Sequence, residues 1–146
     1  MDLLKKAEDI VNGSAMHSCG ESGLGADWVM AQNEGDGYPA ASMITASKAD
    51  GFKWIAFCTG VGSNKELRAK NDPRACVYLF DKNNFAGVSL TGKIEIKTDP
   101  ETKAAMWYDA LGEYFGGPED SSYCVLLFKP ERYNIFIENR ALRGSF

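Results

Sequence analysis

The sequence predicts a mainly β fold of the α+β type, in which an antiparallel sheet closes into a barrel beside two or three helices. About seven short segments rich in β-branched and aromatic residues follow one another at hairpin-like spacing. A parallel sheet would instead need a long connection, usually a helix, between successive strands. Closure is favoured because so many strands would otherwise expose their edges. Since the 146 residues show no repeat or linker, we expect residues 1–146 to form a single domain.

The predicted strands lie between turns that are rich in glycine, asparagine and aspartate. In the fifth strand Gly92 interrupts an alternation of apolar residues, which predicts a β-bulge or a barrel corner. Pro130 separates the last two strands as a hinge. The strands are expected at residues 28–31, 38–47, 53–59, 74–80, 88–97, 123–128 and 133–137.

Three segments have the pattern of helices. Residues 2–11 place their apolar side chains on one face and are followed by Gly13 as a C-cap. A short helix is predicted at 63–70, and a third at 99–111, where an aspartate, a proline and a glutamate open the segment. The Ser/Gly-rich stretch 12–25 is interpreted as a connecting loop. Its glycines precede a strand, whereas a nucleotide-binding loop precedes a helix.

Charge and composition exclude several classes of protein. The net charge is −4, the pI is near 5.0 and no dense run of lysine or arginine occurs, which argues against nucleic-acid binding. The sequence contains neither a signal peptide nor 18 consecutive apolar residues, so a cytoplasmic protein without a membrane span is expected. His17 is the only histidine, so neither a metal site nor a Ser-His-Asp arrangement is predicted.

The cysteines are widely spaced and never form a C-x-x-C pair, which indicates reduced thiols and no zinc site. Three of them fall in predicted strands and are expected to be buried as small apolar side chains. The four are Cys19, Cys58, Cys76 and Cys124.

The most informative segment is 59–66, where a strand passes through two glycines into a helix. A helix N-terminus offers unpaired N–H groups and the positive end of its dipole, so it binds phosphate readily. Thr59 and Ser63 add hydroxyl groups, and Lys65 adds a positive charge. However, Ser63 and Glu66 also form a capping box, which explains Ser63 without any ligand. From these residues alone both interpretations stay open.

The order of elements resembles the FMN-binding split barrels of the pyridoxamine 5′-phosphate oxidase-like family, and its general-stress-protein branch in particular. The resemblance spans roughly residues 26–137. It is carried by the segments 41–45, 57–59, 63–65, 71–77 and 91–93, together with 106–107 and 114–117.

The resemblance implies a homodimer that holds FMN between its two barrels. Ser63, Asn64 and Lys65 would meet the FMN phosphate, with Cys58 and Thr59 on the strand before them. The backbone of a second strand would border the isoalloxazine ring and tune its electronics. Phe136 falls where relatives often place a tryptophan near the cofactor of the partner. The residues of the ring-bordering strand would be Ser42, Met43, Ile44 and Thr45.

Two departures from the family pattern bear on function. Relatives often have arginine at the position of Ala41, and the oxidase has lysine at that of Ala46, so two positive charges are missing. Arg68, Lys70 and Arg74 are the candidates to replace them. The oxidase also uses an Arg-x-His pair near its C-terminus, whereas residues 139–143 contain no histidine. Pyridoxamine 5′-phosphate oxidase activity is therefore not expected.

The sequence analysis favours an FMN-dependent oxidoreductase of the general-stress type whose substrate it does not identify. One alternative is a flavin sensor or carrier without catalytic activity. Another is a barrel that binds haem or a deazaflavin in place of FMN. A nucleic-acid-binding barrel is disfavoured by the acidic composition.

Overall fold

The computed structural model describes residues 2–19 and 27–146. Four helices and seven strands make up most of this part of the chain, together with a short 3-10 helix at Asp109–Glu113. The helices are α1 (Leu3–Gly13), α2 (Met16–Cys19), α3 (Asn64–Asn71) and α4 (Pro100–Met106). The strands are β1 (Asp27–Asn33), β2 (Pro39–Asp50), β3 (Trp54–Gly60), β4 (Arg74–Asp81), β5 (Ala86–Lys97), β6 (Tyr123–Ile137) and β7 (Arg140–Ser145).

The strands form one sheet in the order β3-β2-β1-β4-β5-β6-β7, and every pairing is antiparallel. Pairing of β3 with β6 closes the first six strands of this sheet order into a barrel, while β7 extends the sheet outside it. The predicted antiparallel barrel is confirmed. No helix in the described residues is both long and apolar enough to cross a bilayer.

The barrel interior is the main apolar core. Inward-facing side chains alternate along each strand, as in the run Trp28, Met30 and Gln32 of β1, all of which are buried. A second, smaller core lies on the outer side of β3 and β6 beneath α4 and the 3-10 helix. In that core the ring of Trp107 packs edge-on against Tyr123, with centroids 5.4 Å apart.

The predicted bulge at Gly92 is confirmed. The β5–β6 register shifts there, because Gly92 pairs with Pro130 while Thr91 pairs with Arg132, which leaves Glu131 as the extra residue. The two last predicted strands are in fact one long strand, β6, since Pro130 sits at this bulge and does not interrupt the ladder.

Three other predictions about elements were wrong. The helix predicted at 99–111 ends at Met106, because Trp107 and Tyr108 are extended. The carbonyl of Met106 accepts a hydrogen bond from the Ser47 hydroxyl, and the carbonyl of Trp107 lies within hydrogen-bond distance of the His17 ring. The first helix runs through Gly13 and is capped by Ser14.

The stretch 12–25, predicted as a loop, contains the end of α1 and the one-turn helix α2, and residues 20–25 of it lie outside the described residues.

Candidate functional site

The junction between β3 and α3 is a tight corner built from hydroxyl groups and backbone N–H groups. Gly62 has φ of 83°, in the left-handed region that favours glycine, and this conformation turns the chain into α3. Ser63 caps the helix by accepting a hydrogen bond from the N–H of Glu66 at 3.3 Å. The hydroxyl of Thr59 lies 3.1 Å from that of Ser63. We call these residues, 59–66, the α3 corner.

The buried carboxylate of Glu66 holds the corner in place. It accepts a hydrogen bond from the N–H of Gly62 at 2.8 Å and forms an ion pair with Lys70 at 3.0 Å. The hydrogen bond from Gly62 is the main reason why the pKa of Glu66 is lowered, with a smaller contribution from Lys70. Of the capping box predicted from the sequence, the Ser63 half is present, whereas the Glu66 carboxylate accepts the N–H of Gly62 and not that of Ser63, which donates to the carbonyl of Gly60. No acceptor among residues 2–19 and 27–146 takes the N–H groups of Asn64 and Lys65.

Lys65 is the one corner residue whose charge is not balanced. Its side chain is half-buried, and its ammonium forms no ion pair or hydrogen bond with any residue in the described part of the chain. Burial, followed by repulsion from Arg68, lowers the pKa of Lys65. A bound anion would relieve both effects, because it would restore a partner to a partly desolvated cation.

The cations proposed to compensate for Ala41 and Ala46 are already engaged. Arg68 pairs with Glu34 at 3.1 Å, and Arg74 pairs with Asp72 at 2.8 Å. Lys70 is held by the carboxylate of Glu66. Lys65 is therefore the free cation of the corner, whereas these three neighbours already have carboxylate partners.

The two alanines at which the family pattern has a positive charge lie in different environments. Ala46 is fully buried in the apolar barrel interior, so a lysine there would have no place for its charge. Ala41 is exposed on the outer face of β2 and leaves that surface neutral. Only the replacement at Ala41 therefore removes a charge that solvent or a ligand could reach.

An unpaired strand edge begins close to the corner. Going from the β2–β3 turn towards the corner, the ladder between these strands ends at the pair Ala46–Phe57, after a bulge. Beyond it the residues from Ser42 to Thr45 pair with β1 only, so their second edge has no partner strand among the described residues. Because Thr59 lies two residues beyond Phe57, the gap opens towards the corner. Backbone groups on this edge are free to bind a polar ring.

Two buried polar atoms near this opening lack partners. Among the described residues, the hydroxyl of Ser42 on β2 has no hydrogen-bond partner, and neither has the side-chain oxygen of Gln32 on β1. Both residues lie on the inner face, since Ser42 is opposite Met30 and Gln32 is two residues further along β1. The amide nitrogen of Gln32 donates to the carbonyl of Lys65 at 2.9 Å, which ties β1 to the corner.

These features fit a phosphorylated cofactor with a polar ring. The corner offers N–H groups, hydroxyls and an unbalanced cation for a phosphate, and the open edge of β2 offers backbone hydrogen bonds for a ring. Gln32 was missed by the sequence analysis. A polar residue that continues the inward alternation of Trp28 and Met30 is the signal that could have found it.

The remaining predicted site residues lie elsewhere. The thiol of Cys58 faces the second core, 3.6 Å from the hydroxyl of Tyr123, and burial raises its pKa to about 11. Cys58 and Cys76 are half-buried, so the expectation of full burial is met by Cys124 but not by these two. Phe136 lies on the outer side of β6, where its ring meets that of Phe85 edge-on at 6.3 Å.

Phe136 belongs to a row of exposed apolar side chains on the outside of the barrel. Val29 lies opposite both Met43 and Tyr78 in the ladder, so the three are neighbours on one face. Phe80 and Phe85 continue this face through edge-on ring contact at 5.8 Å. We define the outer apolar face as Val29, Met43, Tyr78, Phe80, Phe85 and Phe136, which are 40–66% exposed.

The closed barrel with one open strand edge has the architecture of the split barrels. A family model described as pyridoxamine 5′-phosphate oxidase matches residues 28–136, and the chain therefore belongs to this family. A comparison with curated proteins found no match.

Solved structures share this fold over nearly the whole chain. One is a protein related to general stress protein 26 from Clostridium acetobutylicum, with 26% identity, a TM-score of 0.80, and coverage of 99% of this chain and 94% of that one. General stress protein 26 from Bacillus anthracis has 22% identity, a TM-score of 0.76, and coverage of 99% and 100%.

Structures described by their cofactors also match. A pyridoxamine 5′-phosphate oxidase-related, FMN-binding protein from Nostoc punctiforme has 13% identity, a TM-score of 0.71, and coverage of 99% of this chain and 96% of its own. An F420 reductase has 19% identity and a TM-score of 0.59 over 74% of this chain and 88% of its own. A haem-binding protein from Mycobacterium smegmatis has 18% identity and a TM-score of 0.69 over 95% and 57%.

Proposed function

We propose that this protein binds FMN in a homodimer and acts as a flavin-dependent oxidoreductase of the general-stress type. The observation that carries the proposal is Lys65, a half-buried cation that has no carboxylate partner in the described part of the chain and lies beside two N–H groups without a described acceptor and two hydroxyls. An anion with several acceptor oxygens satisfies all of these donors together. The phosphate of FMN is such an anion, and a structural neighbour with this fold is described as FMN-binding.

In the proposed complex, separate parts of the chain would hold the phosphate and the ring of FMN. The α3 corner would hold the phosphate through Ser63, Asn64 and Lys65, with Thr59 beside it. The backbone of Ser42–Thr45 would hold the ring at the open edge of β2. When bound, FMN supplies hydride and single-electron transfer. The protein would orient the ring and exclude water.

The outer apolar face supports the proposed homodimer. Monomeric proteins seldom expose so many neighbouring large apolar side chains, which mark contact sites. The free edge of β2 is continuous with this face because Met43 belongs to both. A second copy packed on the face would bring its Phe136 towards the ring held at this edge, which would complete the site.

The cofactor is tested first by the visible spectrum of the purified protein and by titration with FMN and with riboflavin, which lacks the phosphate. We expect Lys65→Met to weaken FMN binding at least about tenfold, the effect of losing one charge-assisted hydrogen bond, and to leave riboflavin binding unchanged. Lys53→Met is the matched control, since Lys53 is an exposed lysine at the far end of β3 without an ion pair.

The outcomes separate the alternatives. Equal FMN affinity of the wild type and Lys65→Met would refute the phosphate assignment. If the purified protein takes up haem or a deazaflavin but not FMN, that group replaces FMN as the proposed cofactor, as the F420 reductase and the haem-binding neighbour suggest. A yellow protein that never oxidises a reduced nicotinamide or another donor would favour a flavin carrier over an enzyme.

A further inference from the structure

A polar cavity lies on the outside of the sheet where β5, β6 and β7 run side by side. Its volume is about 400 Å³, within the range of small-molecule sites. The ladder register places Arg132 between Thr91 and Ser145, and Asn134 between Ser89 and Arg143. Alternate residues share one face of a strand, so all these side chains project from the same side. The polar set is Ser89, Thr91, Arg132, Asn134, Arg143 and Ser145.

Two positive charges in this cavity, on the exposed side chains of Arg132 and Arg143, have no counter-charge among the described residues. Arg132 and Arg143 are diagonal neighbours on adjacent strands, a relation in which residues are roughly 7–8 Å apart and long side chains can meet. Their like charges repel each other. Neither guanidinium forms an ion pair or hydrogen bond with a described residue, and no carboxylate lines the cavity. The nearest acidic residue in sequence, Glu131, pairs with Lys93 at 3.8 Å. Within residues 2–19 and 27–146, this acidic protein thus leaves two neighbouring arginines without counter-charges.

The β-bulge decides which side chain enters the cavity. Without the extra residue, the pairing of Gly92 with Pro130 would place Glu131 opposite Thr91. With it, Arg132 takes that position. The backbones approach each other closely at the bulge and require a glycine there, since a Cβ on Gly92 would lie 2.1 Å from the carbonyl oxygen of Lys129. Bulges often redirect side chains next to functional sites. Here the bulge places the guanidinium of Arg132, and not the carboxylate of Glu131, in the cavity.

We propose that this cavity binds the phosphate or carboxylate group of a small anionic molecule. The guanidinium groups of Arg132 and Arg143 can each donate two parallel hydrogen bonds to an oxyanion. The hydroxyls of Thr91 and Ser145 and the amide of Asn134 complete the donor set. The site is separate from the α3 corner, with which it shares no residue, and it does not depend on the identity of the cofactor there.

The test uses the full-length, cofactor-loaded protein. Binding of inorganic phosphate and of succinate is measured by isothermal titration calorimetry at constant ionic strength, maintained with sodium chloride. We expect saturable binding of at least one probe with a dissociation constant below about 1 mM. Arg132→Gln and Arg143→Gln should each weaken it at least about tenfold. Preference for one probe identifies the phosphate or the carboxylate as the recognised group.

Arg140→Gln is the matched control, since Arg140 is an exposed arginine on β7 that does not line the cavity and forms no ion pair with a described residue. It should change the affinity less than about twofold if the site is specific. The proposal is overturned if neither probe binds the wild type, or if all three variants lose affinity equally, which would indicate non-specific attraction. It is also overturned if the Arg132 and Arg143 variants lose FMN in proportion to the probe, because the arginines would then serve the cofactor.

Discussion

Glu66 shows how much of the candidate site depends on one side chain. Its carboxylate is buried, accepts the N–H of Gly62 and pairs with Lys70. These contacts fix the left-handed turn at Gly62 and so the direction of the N–H groups that follow it. The ionised form is the one that the fold stabilises, because the pKa of Glu66 is lowered below its ordinary value.

The lowered pKa of Glu66 gives a pH dependence of stability. A carboxyl with a depressed pKa in the folded state contributes stability above its ordinary pKa, and this contribution is lost as the pH falls through the lowered value. We expect Glu66→Gln to reduce the free energy of unfolding at pH 7 by roughly 1–2 kcal/mol and to flatten its decline in acid. Urea unfolding between pH 3 and pH 7 measures both effects.

Glu119→Gln is the control for this measurement, since Glu119 is exposed and forms no ion pair within the part of the chain that the structure describes. Its stability profile should follow that of the wild type. Identical acid profiles for wild type and Glu66→Gln would show that the buried carboxylate does not stabilise the corner.

Among the elements, β6 connects most of the features described above. It pairs with β3, β5 and β7 along its length, and it carries Phe136 on the outer apolar face and Arg132 in the polar cavity. The bulge opposite Gly92 lets one strand serve both the closed barrel and the β7 extension. The architecture therefore requires the extra residue Glu131 at this point. It also requires a glycine at position 92, which permits the close approach of the two backbones.

We expect Gly92→Ala to be strongly destabilising, because its Cβ would lie 2.1 Å from the Lys129 carbonyl oxygen and only backbone movement could relieve the clash. The expected loss is about 2–4 kcal/mol in the free energy of unfolding, measured by chemical denaturation. Gly112→Ala is the control, since a Cβ added to Gly112 would meet nothing within 4 Å and the change should be nearly neutral. Similar stabilities of the two variants would mean that the backbone at the bulge can move to accommodate a Cβ at little cost in free energy.

At the scale of the whole molecule, the outer apolar face and the polar cavity adjoin each other. Tyr78 on the face lies opposite Ser89 of the cavity in the β4–β5 ladder. In the proposed dimer the cavity would therefore open beside the boundary between subunits. An anionic molecule held there would lie near a cofactor bound at the subunit interface. The two proposed sites would then be neighbours, although neither proposal depends on the other.

Tyr78→Glu tests the proposed dimer, because it would bury a charge in an apolar contact. Sedimentation equilibrium should give a dimer for the wild type and a monomer for this variant, with FMN affinity lost together with the dimer. Tyr114→Glu places the same charge on an exposed tyrosine away from the face and should remain dimeric. A monomeric wild type that binds FMN fully would contradict the dimeric site.

Much of the fold and part of the site could be predicted from local patterns. The alternation of apolar residues located most strands, the glycine in β5 indicated the bulge, and the spacing of Ser63 and Glu66 located the capped helix at the corner. The strand β7 was missed because its sequence is polar and contains Gly144. Its conformation rests on pairing with β6 and on Tyr133, whose hydroxyl occupies the space beside that glycine.

The sequence by itself determined the helix N-terminus with its serine cap, the lysine beside it and most of the strands, since these depend on residues a few positions apart. Only the tertiary structure decided that Lys65 has no counter-charge among residues 2–19 and 27–146, that β2 leaves β3 beyond Ala46, and that Arg132 and Arg143 share one cavity. Each of these facts depends on residues that are distant along the chain. Their proximity is set by strand register and barrel closure, which short-range backbone preferences do not specify.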